Sequence, residues 1–485
     1  MMDPISVEAV LNAAEEKPAT VKTIRVRGLA RTCDWVVKQN LRPIFQSTTL
    51  QDVMENAQAV SGRLKGLGVF AQVHARINVD PDVRNGYIVD YDVRESRLIT
   101  GKTGVKIGNN EGSADLQLYA NNVLGLADRF MVSSGRSTQR THFLDVQHTI
   151  PLFAAYWQPL TFRLSKHSVV SLSQGLKQDN HTAAVEQAFL STAGSHKLTL
   201  ESKWLHVQPS QTEPPFEVRE ACGHFLNNSL THEFVGDMRN PATLQGLRLQ
   251  HLCRLSGGPL GGSFNYIKNN IEADYTTRRV PALGGMHFRF SARAGLIAPV
   301  HMEQLAARAR TLLHRLSSDA ADAPKHTHTT SPTAPPAPTQ ATPSQHPPAS
   351  DVCVADQFLL GGSTDVRGFQ QHSIGPRRRG FAAGANAYWA VGAHAYAPLP
   401  RGPWQERFGD VLRIHGFITA GSAATEGSLQ ATRRRLMSSV AVSCGLGLSV
   451  DFQTASLELS YCLPLVSSTG ITSPGLCMAI GANLL

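Results

Sequence analysis

The feature that most constrains the fold is a two-residue alternation near the end of the chain. Along residues 440–452 every second residue is apolar, except for a cysteine, and the residues between them are small or polar. Successive side chains of a β-strand point to opposite faces, so the pattern predicts strands with one apolar face. Two further segments repeat it, with Leu457, Leu459, Tyr461 and Leu463 on one face and then Leu476, Met478, Ile480, Ala482 and Leu484.

Two environments produce such strands. A soluble sandwich turns the apolar face to its core, whereas a membrane barrel turns it to lipid. From about residue 95 onward, about sixteen segments of roughly 9 to 15 residues follow one another. Strands of this length suit a tilted crossing of a bilayer, and an even number lets a barrel close. We therefore predict a mainly β protein with a 16-stranded antiparallel transmembrane β-barrel, although the alternation alone leaves the soluble fold open.

Composition narrows the classes further. Charged residues make up 17% of the chain, and we find no apolar run long enough for a helical membrane span. The net charge of +9 sits partly in short clusters at 377–379 and 433–435. Without a long basic face or interleaved aromatic residues, these clusters indicate a charged loop rim and argue against nucleic-acid binding.

The cysteines and the N-terminus indicate in which cellular compartment the protein resides. The seven cysteines are scattered and form no CxxC pair, so we predict free thiols. Residues 1–20, predicted to be a flexible segment, lack the basic and apolar regions of a secretory signal and are too acidic for a matrix presequence. A bacterial outer-membrane barrel needs export, whereas an organellar one arrives from the cytosol.

Residues 21–95 predict a separate small α/β domain. A short β-branched run at 21–26 precedes a helix at 50–64, and strands follow at 69–79 and 86–93. The apolar positions of the helix are Leu50, Val53, Met54, Ala57, Val60 and Leu64. No catalytic constellation is visible in this unit, so we interpret it as a structural or docking module that precedes a barrel at 96–485.

An insertion at 302–350 interrupts the strands. Residues 302–316 predict a short basic amphipathic helix, which either lies on a membrane, caps the barrel or is simply solvated. Residues 317–350 are rich in Pro, Thr, Ala and Ser and cannot bury a core. The histidines there have no cysteine or ordered carboxylate beside them, so we predict no metal site at His314, His326, His328 or His346.

The segment after the insertion carries the most specific motif. Residues 358–369 read FLLGGSTDVRGF, and Gly361, Gly362 and Gly368 allow sharp turns and close packing. Between them Val366 and Phe369 flank Arg367, whose planar fork of five donors suits a carboxylate or carbonyl partner. We predict a loop at 352–382 that folds into the barrel lumen.

With this motif, the chain from about residue 21 to 485 resembles the core barrel of the mitochondrial sorting and assembly machinery. This family belongs to the bacterial surface antigen superfamily, with the bacterial outer-membrane barrel-assembly factor. Shorter segments carry the resemblance too, namely 26–29, 66–73, 98–101, 108–112 and 387–390. The resemblance implies that 21–95 is a single POTRA domain in the intermembrane space and that the barrel lies in the mitochondrial outer membrane.

The resemblance also implies a mechanism. The first strand, about 95–107 and including Leu98, Ile99, Thr100 and Gly101, meets the last strand, 474–485, at a seam that opens sideways. A β-barrel precursor such as porin or the import channel then pairs its terminal strand there, because an exposed edge offers unpaired backbone groups. Accessory subunits of the assembly complex are the other implied partners. The chain's own targeting signal matches Ser473, Gly475, Met478 and Ile480.

At one point the sequence departs from the bacterial pattern. The wall positions that match the acidic partners of Arg367 are His394 and Thr419, and neither is a carboxylate. We therefore expect Arg367 to bond carbonyls, hydroxyls or an aromatic face instead of a carboxylate.

Two other classes remain. A solute- or polypeptide-conducting channel shares the alternating strands, and the accessory domain and the Arg367 motif favour protein handling over a plain solute pore. A hydrolase is disfavoured because no motif joins a nucleophile to a base. Gly101-Lys102-Thr103 matches the end of a phosphate-binding loop, but Ser96 stands where its first glycine is required. We expect an assembly factor without cofactor or enzymatic activity.

Overall fold

The computed structural model describes most of the chain. The described residues are 17–108, 111–138, 141–155, 158–210, 216–240, 243, 245–280, 285–300, 352–399, 411–451 and 456–481. The helix predicted at 302–316, the stretch at 317–350 with its histidines, and most of the segment at 1–20 lie outside these residues.

Residues 20–95 form a small α/β unit. Its elements are β1 (Thr20–Arg27), α1 (Asp34–Leu41), α2 (Leu50–Gly66), β2 (Phe70–Val79) and β3 (Gly86–Glu95). The sheet has the order β1-β3-β2, with β1 parallel and β2 antiparallel to β3. Apolar side chains of both helices and all three strands form one buried core.

Helix α2 shows how the local sequence shapes this unit. Thr49 and Asp52 form a capping box, in which each side chain accepts a hydrogen bond from the other residue's backbone N–H. The apolar stripe is buried as predicted at Val53, Ala57, Val60 and Leu64, whereas Met54 is exposed. The Tyr91 hydroxyl of β3 donates to the Ala57 carbonyl at 3.0 Å and ties the helix to the sheet.

The rest of the described chain is dominated by one 16-stranded antiparallel sheet. Its strands are β4 (Ile99–Gly108), β5 (Glu111–Asn121), β6 (Arg129–Ser137), β7 (His142–Pro151), β8 (Pro159–Ser171), β9 (Leu176–Ser191), β10 (Gly194–Pro209), β11 (Gly223–Asp237), β12 (Gly246–Ser256), β13 (Tyr266–Thr276), β14 (His287–Pro299), β17 (Ala387–Pro398), β18 (Leu412–Ala424), β19 (Ala441–Asp451), β20 (Ser456–Ser467) and β21 (Gly475–Gly481). Two short strands, β15 (Arg377–Arg378) and β16 (Phe381–Ala382), pair between β14 and β17.

The two faces of this sheet differ in polarity, as the alternation predicts. On β10, Thr199 and Glu201 are buried, whereas Leu198, Leu200 and Trp204 are exposed. We call the first of these faces the inner face and the second the outer face. An outer face of exposed leucine and tryptophan is unfavourable in water and suits a lipid environment.

Each strand pairs with its neighbours in chain order, so the sheet begins at β4 and ends at β21. Cα atoms of these two edge strands come within 8 Å of each other, but the described residues form no hydrogen-bonded ladder between them. The first strand starts at Ile99, later than the predicted start near residue 95. Glu95 instead ends β3, because it pairs with Phe70 in the small sheet.

Strand directions place the connections. Because β4 leaves the α/β unit and successive strands alternate, this unit lies at one end of the sheet and the connection from β14 to β17 at the other. The helices α3 (Phe216–Glu220) and α4 (Leu429–Ser438) also lie at the far end. None of the helices in the described part of the chain is long and apolar enough to cross a membrane.

Candidate functional site

The connection between β14 and β17 folds back against the inner face of the sheet. Its described part is residues 352–386, which we call the 352–386 loop. Leu360, Val366, Phe369 and Ile374 are buried in one apolar cluster with wall alanines of β17, β18 and β19. The cluster packs the predicted motif against the wall.

Glycine is required in this motif where the chain approaches the wall. Gly368 has φ +76, a conformation that favours glycine, whereas a Cβ there would make only ordinary contacts, at 3.5 Å from the Cβ atoms of Cys462 and Ser443. Gly361 has φ +107, and a Cβ there would lie 2.9 Å from the Gln370 carbonyl oxygen. Gly362 N–H donates to the Val366 carbonyl at 3.4 Å and closes the turn that presents Arg367.

Arg367 is the centre of the loop's attachment to the wall. Its side chain is 1% exposed, and its Nη2 lies 2.5 Å from Oε2 of Glu458, which is 3% exposed. The Tyr396 hydroxyl donates to the other Glu458 oxygen at 2.8 Å. The guanidinium carbon lies 4.8 Å from the ring centroid of Phe417. A buried charge needs a partner of opposite sign, and Arg367 and Glu458 neutralise each other.

The sequence-based expectation for Arg367 is therefore wrong in one part and confirmed in another. The arginine does pair with a carboxylate, supplied by Glu458 of β20 and not by the strands of His394 and Thr419. The aromatic partner exists, as Phe417 of β18. Glu458 belongs to the polar face of its alternating strand, but its sequence position does not show that it faces Arg367.

His394 and Thr419 are buried in the inner wall near this pair. His394 Nδ1 lies 2.9 Å from Nε2 of His415, and the Thr419 hydroxyl lies 2.9 Å from that of Ser443. His415 also stacks on Tyr396, with ring centroids 4.7 Å apart. The two predicted positions thus belong to a polar layer that joins β17, β18 and β19.

A second attachment, which we did not predict, lies at the start of the loop. Asp356 is buried and accepts hydrogen bonds from Arg254 Nη1 at 2.5 Å, from Asn227 at 3.1 Å and from the Tyr266 hydroxyl. Lys268 Nζ donates to the Asp356 carbonyl at 2.6 Å. Four donors from β11, β12 and β13 therefore converge on one loop residue.

A third ion pair and two hydrogen bonds complete the attachment. Asp365 lies 3.3 Å from Arg293 of β14. In the connection from β8 to β9, the Ser173 side chain lies 2.8 Å from that of His372. The Ser173 carbonyl accepts a hydrogen bond from Ala382 N–H at 2.8 Å. The loop is thus bonded to wall residues from the end of β8 to β20.

The predicted targeting signal meets the loop motif. Ser473 precedes β21, and its N–H donates to the Gly368 carbonyl at 2.8 Å. Gly475 begins β21 with φ +134, and Met478 lies on the outer face, half exposed. Ile480 pairs in register with Leu457 of β20. The start of the last strand is therefore held by the same segment that carries Arg367.

The other predicted edge lies on β4. Leu98 precedes the strand, its carbonyl accepts from Asn121 N–H at 2.7 Å, and Ile99 is exposed on the outer face. Thr100 and Gly101 pair with Tyr119 and Leu118 of β5. Because Gly101-Lys102-Thr103 lies within this strand, it has no phosphate-loop geometry.

A carboxylate at the joint between the α/β unit and the sheet is a feature that we did not predict. Glu95 accepts hydrogen bonds from the backbone N–H groups of Ala30, Arg31 and Thr32 at 2.9 to 3.2 Å and from the Thr32 hydroxyl at 2.7 Å. Burial acts to raise the pKa of Glu95, but these bonds outweigh it and hold the pKa at about 2.

The same segment bonds the sheet. Arg31 donates to the Ser96 carbonyl at 2.6 Å and to the Asn121 carbonyl at 3.3 Å. Cys33 N–H donates to the Gly125 carbonyl at 2.8 Å, and Asn122 donates to the Thr32 hydroxyl at 2.7 Å. Glu95 thereby organises a short segment that fixes the α/β unit to the turn between β5 and β6.

The site includes free thiols and lacks a described metal-binding cluster. All seven cysteines are free thiols. Within the described ranges, no group of three or more His, Cys, Asp or Glu side chains could hold a metal ion. The arrangement consists of strand edges, a braced loop and a docked accessory domain, which suit binding and conformational change.

These features define a class, the transmembrane β-barrels of 16 strands that carry an N-terminal accessory domain and an internal loop. The profile of the Omp85 superfamily domain matches residues 122–481, and the chain belongs to the Omp85 superfamily.

Several known proteins are similar to this chain over nearly its whole length. The "Sorting and assembly machinery component 50 homolog" of Homo sapiens is 29% identical, with 96% of this chain and 90% of that protein covered. Among solved structures, BamA from Haemophilus ducreyi lacking POTRA domains 1–3 matches with a TM-score of 0.71 at 14% identity, over 96% of this chain and 84% of that one. CdiB from Acinetobacter baumannii matches with a TM-score of 0.51 at 11% identity, over 96% and 73%.

Proposed function

We propose that this chain inserts and folds β-barrel precursor proteins in the mitochondrial outer membrane. The similarity to the human sorting and assembly machinery component 50 homolog along 96% of the chain supports this role. The observation that carries the mechanism is the pair of strand edges, β4 and β21, which lie side by side without a described ladder.

In the proposed mechanism the seam between these edges opens sideways and accepts the terminal strand of a precursor. Unpaired backbone groups in lipid cost several kcal/mol each, so a bare edge is a strong template for another strand. The last strand pairs with β20 along one edge, and its other edge has no described ladder. A client strand that pairs with β4 replaces backbone hydrogen bonds as the seam opens, so the exchange has a low net cost.

The 352–386 loop lies in the lumen in this proposal and braces the wall during exchange. Its ion pairs reach β12, β14 and β20, and the Ser473–Gly368 hydrogen bond reaches the start of β21. A loop bonded to this many wall strands supports a protein-handling barrel over the alternative of a plain solute pore.

The two ends of the sheet give the proposed orientation. The α/β unit is the POTRA domain and faces the intermembrane space, so the loop enters from the cytosolic side. Porin and the import-channel barrel are the proposed clients, and further subunits of an assembly complex are the proposed partners. The chain acts without a cofactor and without breaking covalent bonds.

Depletion of the protein tests the function. Radiolabelled porin is imported into mitochondria with and without the chain, and its assembly is followed by native electrophoresis. We expect assembled porin to fall and its precursor to accumulate, with recovery when the chain is restored. Normal porin assembly together with a loss of solute flux would instead identify a channel.

Crosslinking tests the seam. A cysteine replaces Thr103 on the outer face of β4, and a precursor carries a single cysteine in its terminal strand. The matched control carries the cysteine at Leu116 of β5, which also faces outward and pairs with Thr103. We expect a disulfide adduct from the β4 variant above the background of the parent chain and its free cysteines. Equal adducts from both variants would reject the edge as the client site.

A further inference from the structure

Helix α4 covers part of the outer face at the end of the sheet opposite the α/β unit. Outward residues near that end of β17 and β18 are buried, with Ala387 at 3%, Ser422 at 0% and Ala424 at 1% exposure. Farther along the same strands, outward Val391 and Ile418 are 43% and 49% exposed. The helix therefore packs on the side of the wall that faces lipid, not on the lumen side.

A tryptophan fixes the depth of this helix. Trp389 lies on the outer face of β17, and its indole N–H donates to the Leu436 carbonyl of α4 at 3.4 Å. Tryptophan is enriched at the level of the lipid headgroups, where its apolar ring and its N–H are both satisfied. The position of Trp389 beside α4 therefore supports a helix at the membrane surface.

The free surface of the helix is cationic and apolar at once. Thr432 is buried against the wall, whereas Arg433, Arg434 and Arg435 are exposed, together with Leu429 and Met437. The structure pairs none of the three guanidinium groups with a carboxylate of the described chain. The only acidic residue in the connection from β18 to β19 is Glu426, which leaves the segment with a net positive charge.

We propose that α4 is a membrane-surface helix whose three arginines bind anionic phospholipid headgroups. Arginine presents a fork of donors that matches the phosphate oxygens of a headgroup. Leu429 and Met437 enter the boundary between headgroups and acyl chains, as the apolar side chains of interfacial helices do. This inference rests on the barrel spanning a membrane and does not depend on the proposed insertion of clients.

In this proposal the stability of the barrel wall depends on the anionic lipid content of one leaflet. The helix follows β18, whose Phe417 packs on Arg367. Headgroup binding by α4 therefore stabilises the wall segment beside the internal loop and fixes the barrel's depth in the bilayer at that side.

Hydrogen–deuterium exchange of the full chain tests this proposal. The chain is reconstituted in phosphatidylcholine bilayers with or without phosphatidylserine, and the exchange of residues 429–438 is followed by mass spectrometry. We expect slower exchange with phosphatidylserine and a loss of that protection at high salt, because salt screens exposed charges. If the exchange of residues 429–438 depends on neither lipid charge nor salt, the proposal is overturned by the unmodified chain alone.

A matched pair of variants assigns the effect to α4. Arg433→Gln/Arg434→Gln removes two charges from the helix, and Arg378→Gln/Arg379→Gln removes two from the hairpin of β15 and β16. Each arginine near an anionic surface contributes roughly fivefold to binding, so the helix variant loses about 25-fold of the phosphatidylserine effect. The control variant keeps it, and unchanged exchange of β10 and β11, which lie away from α4, shows that both variants fold.

Two other ligands are distinguished in the same experiment. Inorganic phosphate added to phosphatidylcholine bilayers provides the phosphate group without a membrane anchor. Protection equal to that from phosphatidylserine would reject a lipid site. Protection of α4 in mitochondrial membranes but in neither reconstituted bilayer would indicate a protein partner and would equally overturn the proposal.

Discussion

The carbonyl of Gly368 accepts a hydrogen bond from the N–H of Ser473 at 2.8 Å. The bond joins the residue after Arg367 to the segment that begins the last strand. Arg367 itself binds Glu458 on β20, the only described hydrogen-bonded neighbour of β21. The loop therefore holds the last two strands at two points, and its attachment decides how easily the edge strand is released.

Arg367→Ala is expected to leave Glu458 buried without its cation. Breaking a buried ion pair costs about 3 to 5 kcal/mol, so the loop detaches or Glu458 takes up a proton. We expect slower assembly of imported porin while the chain itself stays in the membrane. The double substitution Arg367→Glu/Glu458→Arg restores the ion pair with the charges swapped and should recover part of the rate of porin assembly. Unchanged assembly in Arg367→Ala mitochondria would remove the loop from the mechanism.

Asp356→Asn tests the second attachment. The change keeps the shape of the side chain but removes the charge that Arg254 requires, so a buried cation loses its partner at a cost of about 3 kcal/mol or more. We expect faster proteolysis of the 352–386 loop in the folded barrel. Asp365→Asn is the matched comparison, because Asp365 is 26% exposed against 8% for Asp356, so solvent screens its pair with Arg293 more strongly. Equal proteolysis of both variants would show that Asp356 does not hold the loop more strongly than Asp365.

The sequence predicts the strands well because their alternation is a local property. The predicted strand at 440–452 is observed at Ala441–Asp451, and the loop motif is found against the wall. The partner of Arg367 escaped prediction because Glu458 is 91 residues away and reaches it only through the register of the sheet. Asp356 and Glu95 escaped for the same reason, since a lone carboxylate carries no local sign of the donors around it.

Helix α4 illustrates a different limit. The cluster Arg433-Arg434-Arg435 is visible in the sequence and indicates a charged loop rim. Its packing on the outer face depends on Trp389 of β17, which lies 47 residues earlier in the chain than its partner Leu436. Short helices at strand ends owe their position to tertiary contacts more than to helix propensity.

Acid is expected to loosen the joint between the α/β unit and the sheet. The pKa of Glu95 is about 2 in the fold against an ordinary 4.5, so its folded-state pKa is depressed. The stabilisation is therefore fully present above about pH 4.5 and is lost as the pH falls toward 2. Amide exchange of Ala30, Arg31 and Thr32 should speed up over this range beyond its intrinsic pH dependence. Glu95→Gln should abolish that additional change, and an identical profile in both proteins would refute the role of Glu95.

Gly475→Ala tests the start of the last strand and the chain's own targeting signal. Gly475 has φ +134, which alanine adopts only with strain of about 1 to 3 kcal/mol, although no atom lies within 4 Å of the added Cβ. Gly416→Ala in β18 is the matched control, because its Cβ would meet only Leu446 Cδ1 at an ordinary 3.7 Å. We expect Gly475→Ala to lower the fraction of imported chain that resists carbonate extraction, and Gly416→Ala to leave it unchanged. Met478→Ser should lower it as well, because Met478 faces outward from the same strand. Full integration of both β21 variants would show that the segment does not act as the signal.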